Sequence, residues 1–201
     1  MAINYAALKA ECQNNPNNYS YTDPQSGTTL TLAQWWAAGA DAACAAAMNM
    51  ATAGFWVYRA SIPVAEVFDA IVWANFTPSD VVPTDTSLNN DIFQSRQIAC
   101  QTKQMNLQTM IVGQSSISGA KANIRAGLQD ALTNIPSGAN GATRAAGWTT
   151  VRDTVLARLA TRAERLYANT GSGNGGTAAT AAALTFEGDL TPADIQAARA
   201  A

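Results

Sequence analysis

Apolar residues in this 201-residue chain recur at three- and four-residue spacings between breaks made by Gly and Pro. No run alternates apolar with polar residues long enough to read as a sheet. A period near 3.6 marks helices that bury one stripe. The expected fold class is therefore all-α, a compact bundle of about six to seven helices with a Gly/Ser/Thr-rich arm and a short C-terminal helix. The first helix is expected over 2–12, with Tyr5, Leu8 and Cys12 on one stripe, stopped by Asn14-Asn15-Pro16. A polar loop follows through Ser26-Gly27. Thr31 with Gln34 then fits a capping box opening a helix that carries Leu32, Trp35, Trp36 and an Ala-rich run to about Met50.

Gly54 breaks that helix, and Phe55-Trp56-Val57-Tyr58 is a short apolar segment with no assigned form. Ser61-Ile62-Pro63 starts a third helix with a broad apolar face of Val64, Val67, Phe68, Ile71 and Val72. Thr77-Pro78-Ser79-Asp80 reads as another helix start, halted within a turn by Val81-Val82-Pro83. The longest helix is expected over 88–112, ending at Gly113. Phe93, Cys100, Leu107 and Ile111 lie along one side, with Gln94, Gln97, Gln101, Gln104 and Gln108 around the rest. A fifth helix carries Ile124, Leu128 and Leu132 before Pro136-Ser137-Gly138, and Asn140-Gly141 is a turn. A sixth, from about Gly147-Trp148, uses Val151, Val155, Leu159 and Leu166. Residues 169–185 have the composition of a flexible or extended arm. A terminal helix has Thr191 as cap and Pro192 in its first turn. The expected organisation is a helical body over 1–168, then arm and terminal helix over 169–201.

Composition bounds the function. Hydrophobic residues make up 48%, enough for a core burying roughly 70% of the unfolded surface. Charged residues are only 13%, against about 25% in soluble domains. Low surface charge suits a subunit that covers its exterior with neighbours; an Ala-rich, biased genome is the other reading. The net charge of -2 and the absence of a Lys/Arg run disfavour direct nucleic-acid binding. The N-terminal residues lack the pattern of a signal peptide, and the Ala-rich stretch is too short to span a bilayer. Synthesis in a cytoplasm and no membrane association are expected.

Three widely spaced cysteines, Cys12, Cys44 and Cys100, and no histidine remove common zinc layouts, Ser-His-Asp and Cys-His catalysis and imidazole bases. No catalytic, cofactor or metal residue is expected, and the thiols read as small buried side chains. Asp153 and Glu164, near arginines, read as surface ion pairs. Glu66 sits near the start of the third helix, where the dipole favours a carboxylate. The Gly171–Gly176 run follows a helix and has no Gly-Lys-Ser/Thr ending, so a linker outweighs a phosphate loop. Trp35 and Trp36 point about 100° apart on a helix, so either one anchors a partner or the helix is buried on two sides. Arg162, Glu164 and Arg165 form a short charged cluster whose positive charge complements a helix C-terminus. Trp35, Trp36, Trp56, Phe186 and Ile195 are the candidate partner contacts.

Two stretches are similar to a family of small tailed-bacteriophage proteins. Ala160-Thr161-Arg162-Ala163-Glu164-Arg165-Leu166-Tyr167-Ala168, followed by the arm and Phe186-Glu187-Gly188-Asp189-Leu190-Thr191-Pro192-Ala193-Asp194-Ile195-Gln196-Ala197-Ala198-Arg199, resembles that family's C-terminal signature. Tyr5-Ala6-Ala7-Leu8-Lys9-Ala10-Glu11 and Arg59-Ala60-Ser61-Ile62-Pro63-Val64-Ala65-Glu66-Val67-Phe68 are similar to its N-terminal half. The resemblance implies a virion component and carries no functional residues. The expected function is then a non-enzymatic, multi-copy structural protein of the head–tail junction, collar or tail, with no cofactor. Its partners would be copies of itself and portal, neck, tail or capsid proteins, with the arm (169–185) and the terminal helix reaching a neighbouring subunit. The alternatives are a capsid decoration protein, a cell-wall hydrolase and a host-takeover factor.

Overall fold

A computed structural model describes residues 3–76, 88–137, 142–169 and 173–201, the side chains of 88–93 excepted. The expected turns at Thr77 to Pro83 and at Asn140-Gly141, together with Gly138, Gly171, Ser172 and the Phe93 side chain, lie outside these residues. In chain order the elements are α1 (Tyr5–Asn14), β1 (Ser20–Thr22), β2 (Thr29–Thr31), α2 (Leu32–Ala37), α3 (Asp41–Asn49) and β3 (Ala51–Tyr58). There follow β4 (Ile62–Pro63), α4 (Val64–Ala70), a 3-10 turn (Trp73–Phe76), α5 (Leu88–Ile111), β5 (Ser116–Ile117) and α6 (Ala122–Leu132). Next come β6 (Ile135–Pro136), β7 (Thr143–Arg144), α7 (Trp148–Thr150), a π-type turn (Val151–Leu156), β8 (Ala157–Thr161) and α8 (Arg162–Leu166). The chain ends with β9 (Ala168–Asn169), a 3-10 turn (Ala178–Thr180), β10 (Ala183–Leu184) and α9 (Pro192–Ala200).

The fold is mixed helix and strand, which corrects the all-α expectation. Among the described residues ten strands form five two-stranded ladders. Eight of the ten have only two or three residues, too short to show an alternating period. The chain divides into two compact units, one of Met1–Val57 with Leu159–Ala201 and one of Tyr58–Arg158.

In the first unit, the Asn4 side chain caps α1 by accepting from the Ala7 N–H at 3.1 Å. Asn15 ends α1 in the left-handed region. The polar loop is a hairpin: β1 pairs antiparallel with β2, Tyr21 opposite Leu30. The Thr31–Gln34 capping box forms, but α2 stops at Ala37 rather than running to Met50. Gly39, with φ of 70°, donates to the Trp36 carbonyl, and Ala40 donates to the Trp35 carbonyl. This is a Schellman ending, which needs a residue without Cβ strain at that position. The Ala-rich run resumes as α3. α9 packs on α1 and α3, and Leu8, Leu32, Met48, Leu190 and Ile195 share one core. Each such fully buried aliphatic chain contributes roughly 1.5–3 kcal/mol.

The unassigned segment Phe55-Trp56-Val57-Tyr58 belongs to β3, which pairs with β8. The described part of the expected arm packs against it. The Trp56 N–H donates to the Gly175 carbonyl at 2.6 Å, and the Ala182 N–H to the Trp56 carbonyl at 2.9 Å. A Cβ on Gly175 would lie 2.6 Å from the Phe55 ring. Small residues here bring two backbones together instead of forming a linker. The sixth helix also departs from expectation. Helical structure gives way at Ala157 to β8, and α8 starts afresh behind a Thr161–Glu164 capping box.

In the second unit the expected third helix is shorter, because Ile71 turns extended after α4. α5 and α6 match the expected long helix and its successor, with Gly113 (φ 75°) closing α5. Cys100, Leu107 and Ile111 of α5 share a core with Leu128, Leu132, Ile135, Trp148 and Leu156. β4 pairs with β5, and β6 with β7.

Candidate interaction surface

Several titratable groups are engaged in hydrogen bonds and ion pairs. Arg59 donates to both Glu66 oxygens and to the Val155 carbonyl. Its hydrogen bond holds the Glu66 carboxyl below the usual range. Arg152 does the same to its neighbour Asp153, and the Thr191 hydroxyl does so to Asp194. Asp23 is lowered by Ser26 within its own loop. A general acid needs the opposite shift.

Asp153 and Glu164 fall in different elements. The Glu164 carboxylate accepts from the Thr161 N–H at 2.9 Å and the Gly188 N–H at 3.2 Å. The expected basic cluster is dispersed. Arg162 donates to the Ser20 and Ala47 carbonyls and lies 4.6 Å over the Tyr19 ring, while Arg165 lies 5.6 Å over Phe55. Burial pushes the Cys12 thiol to about 12 and Cys44 to about 11, so neither is a thiolate at neutral pH. Cys100 donates to the Pro136 carbonyl. A shallow groove of about 460 Å³ is lined in part by Tyr21, Asp23, Trp35 and Asp41. Asp41 is bonded to Arg199 and Asp23 to its own loop. Among the described residues no helix is long and apolar enough to cross a membrane.

Of the five candidate partner contacts, Trp36 and Ile195 belong to the first unit's core, Trp35 and Phe186 pack against it, and Trp56 is not among them. Ile195 is fully buried and Trp36 is buried in the first unit's core. Trp36 is also roofed by the Arg199 guanidinium, 3.9 Å from its ring centre. Trp35 is half-buried and donates to the Tyr21 carbonyl at 3.1 Å. Trp56 is half-buried in β3. Phe186 is half-buried, edge-on to Tyr167 at 5.5 Å.

The surface that sequence reasoning missed lies on α5. Opposite its buried side, Ile98 and Met105 of α5, and Val112 just past its end, are 63%, 64% and 74% exposed. They recur every seven residues. Gln94, Gln97, Gln101, Thr102, Gln108 and Thr109 surround them and are exposed too. No exposed residue from Gln94 to Val112 on this helix carries a charge. Its basic residues there, Arg96 and Lys103, are half-buried, and Lys103 binds the Asp130 carboxylate at 2.9 Å. Met105, Gln108, Thr109 and Val112 line a shallow depression. The heptad repeat was present in the sequence, masked by the stronger inner stripe of Cys100, Leu107 and Ile111.

Comparison with protein-family models, with curated proteins and with solved structures finds no match for this chain.

Proposed function

We propose that this chain is a non-enzymatic structural component of a tailed-bacteriophage virion, present in several copies at the head–tail junction, collar or tail. The observation that carries the reading is the outer side of α5 from Gln94 onward, where no exposed residue carries a charge and Ile98, Met105 and Val112 recur every seven residues. A solvated helix face in water ordinarily carries Lys, Glu, Asp or Arg. This face carries amides, hydroxyls and three large apolar side chains, a composition suited to a protein neighbour. The 13% charged composition and the likeness of residues 160–168 and 186–199 to a phage family point the same way. The partners are copies of this chain and other virion proteins, and the chain resides in the particle.

Quantitative mass spectrometry of purified particles, counting this chain against the major capsid protein, tests the proposal. A small fixed copy number supports a neck or tail position. A number in the hundreds makes it a capsid decoration protein instead, and absence from the particle overturns the reading.

A further inference from the structure

Within the first unit the arm folds back on β3, and where it does so Asn174 stands directly before Gly175. We propose that this Asn-Gly pair is a self-modification site: it cyclises and hydrolyses to aspartate and isoaspartate, and the isoaspartate form releases the arm from β3. The proposal goes beyond the assembly role and holds whether or not the chain belongs to a virion. Three features place it. The Asn174 side chain is exposed, so water and hydroxide reach its amide. Gly175 has no Cβ to hinder attack by its nitrogen. The Gly176 N–H donates to Asn174 Oδ1 at 3.0 Å, which turns the side chain forward along the chain and polarises its amide carbon. Among the described residues no other asparagine precedes a glycine, and Asn140-Gly141 is the one further such pair in the sequence.

In the first step the Gly175 nitrogen gives its proton to hydroxide and attacks Asn174 Cγ. An N–Cγ bond forms, the Cγ–Nδ2 bond breaks, and the amide leaves as ammonia with a proton from water. Water then opens the cyclic imide. Breaking the N–Cγ bond gives aspartate, and breaking the bond to the main-chain carbonyl gives isoaspartate. The net change is amide plus water to carboxylate plus ammonium. The Gly175 N–H donates to the Thr180 carbonyl at 2.9 Å, so its nitrogen reacts only when this part of the arm opens. Isoaspartate adds one carbon, about 1.5 Å, to the main chain just before Gly175. Little slack exists there. The Gly175 carbonyl accepts from the Trp56 N–H at 2.6 Å, and even a Cβ on Gly175 would lie 2.6 Å from the Phe55 ring. The docked arm therefore slows the reaction, and the reaction traps the arm once it has opened.

The test incubates the full chain in mildly alkaline buffer, folded and in urea, and follows each asparagine by peptide mass spectrometry with enzymatic labelling of isoaspartate. The expected result is amide-to-acid conversion at Asn174 in the folded chain, with isoaspartate among the products, ~10-fold or more slower than in urea. Asn174→Gln should not convert, because its longer side chain closes a five-membered ring with no main-chain nitrogen ahead of it. Hydrogen exchange then reads the arm. The Trp56 amide should lose protection in the isoaspartate fraction and keep it in the unconverted chain, in Asn174→Gln and in Asn174→Asp, whose main chain has the normal length. A folded chain unconverted at Asn174 when the urea sample is fully converted overturns the site. Equal rates in both conditions overturn the control by docking, and an isoaspartate fraction with Trp56 still protected overturns the release.

Discussion

Replacing Arg199 by alanine is expected to destabilise the first unit by about 2–3 kcal/mol. The side chain closes α9 onto α2 and α3. Its Nε donates to Asp41 Oδ1 at 2.6 Å, its terminal nitrogen donates to the Trp36 carbonyl at 2.8 Å, and its plane covers the Trp36 ring at 3.9 Å. Hydrogen bonds to charged groups contribute about 1.5–3 kcal/mol and a cation–π contact about 0.5–2. The sum is discounted on two grounds. The Arg199 and Asp41 side chains keep 29% and 15% of their exposure, so water screens part of the attraction. Asp41 also opens α3, whose dipole still stabilises its charge after Arg199 is gone, by about 0.3–1 kcal/mol. Arg199→Lys keeps the charge but loses the fork and the stacking plane, so it should fall between the two. Urea titration followed by tryptophan fluorescence measures the loss, and a double-mutant cycle with Asp41→Ala isolates the pair at about 1 kcal/mol or more. A loss within about 0.5 kcal/mol for Arg199→Ala, or a coupling of zero, would refute this account of how α9 is held.

Three more expectations follow from the geometry. Gly147→Ala should cost about 3 kcal/mol or more in urea unfolding, because φ is 87° and a Cβ would sit 2.5 Å from the Ala70 carbonyl oxygen; a variant as stable as the parent contradicts that contact. Glu66, Asp153 and Asp194 bind protons less readily folded than unfolded. Their contribution is therefore complete above their ordinary values of 4.5, 3.8 and 3.8 and is lost as pH falls through the lower folded values. The urea midpoint should drop between about pH 5 and pH 3, Asp194→Asn should flatten that limb, and a midpoint that rises toward acid would rule the linkage out. Cys12 and Cys44 should react with a thiol reagent near neutral pH only as fast as the first unit opens; prompt reaction in native protein would show them accessible.

Where a cap, a breaker and an inner stripe agreed, the structure was legible in the sequence. Thr31 with Gln34, Gly113 after the long helix, and Thr191 before Pro192 each mark a real boundary. The strands were not legible, because ladders of two or three residues have no period to detect. β3 hid behind Gly54 and two alanines. β8 hid inside a spacing of Val151, Val155 and Leu159 that suits a helix, although Leu159 is exposed. The Thr161–Glu164 signature marks a fresh helix start there, inside a span whose apolar spacing predicts one continuous helix. The arm's alanines and glycines describe a linker by composition, yet Ala181 and Ala182 are buried because their partner is a backbone in β3. Ile195 suits a partner contact only if α9 reaches outward, whereas α9 packs on α1 and α3 with Ile195 in the core. The α5 outer stripe is a different failure: its residues were visible, but exposure is a tertiary fact that no spacing reports.

The most direct measurement is the copy number of wild type and Met105→Glu in particles grown on cells supplying one or the other, counted by mass spectrometry. The account predicts a fixed number of wild-type copies and a strong deficit of the variant, whose purified form melts at the wild-type temperature. Wild type absent from particles, or the variant incorporated at the wild-type number, would contradict it.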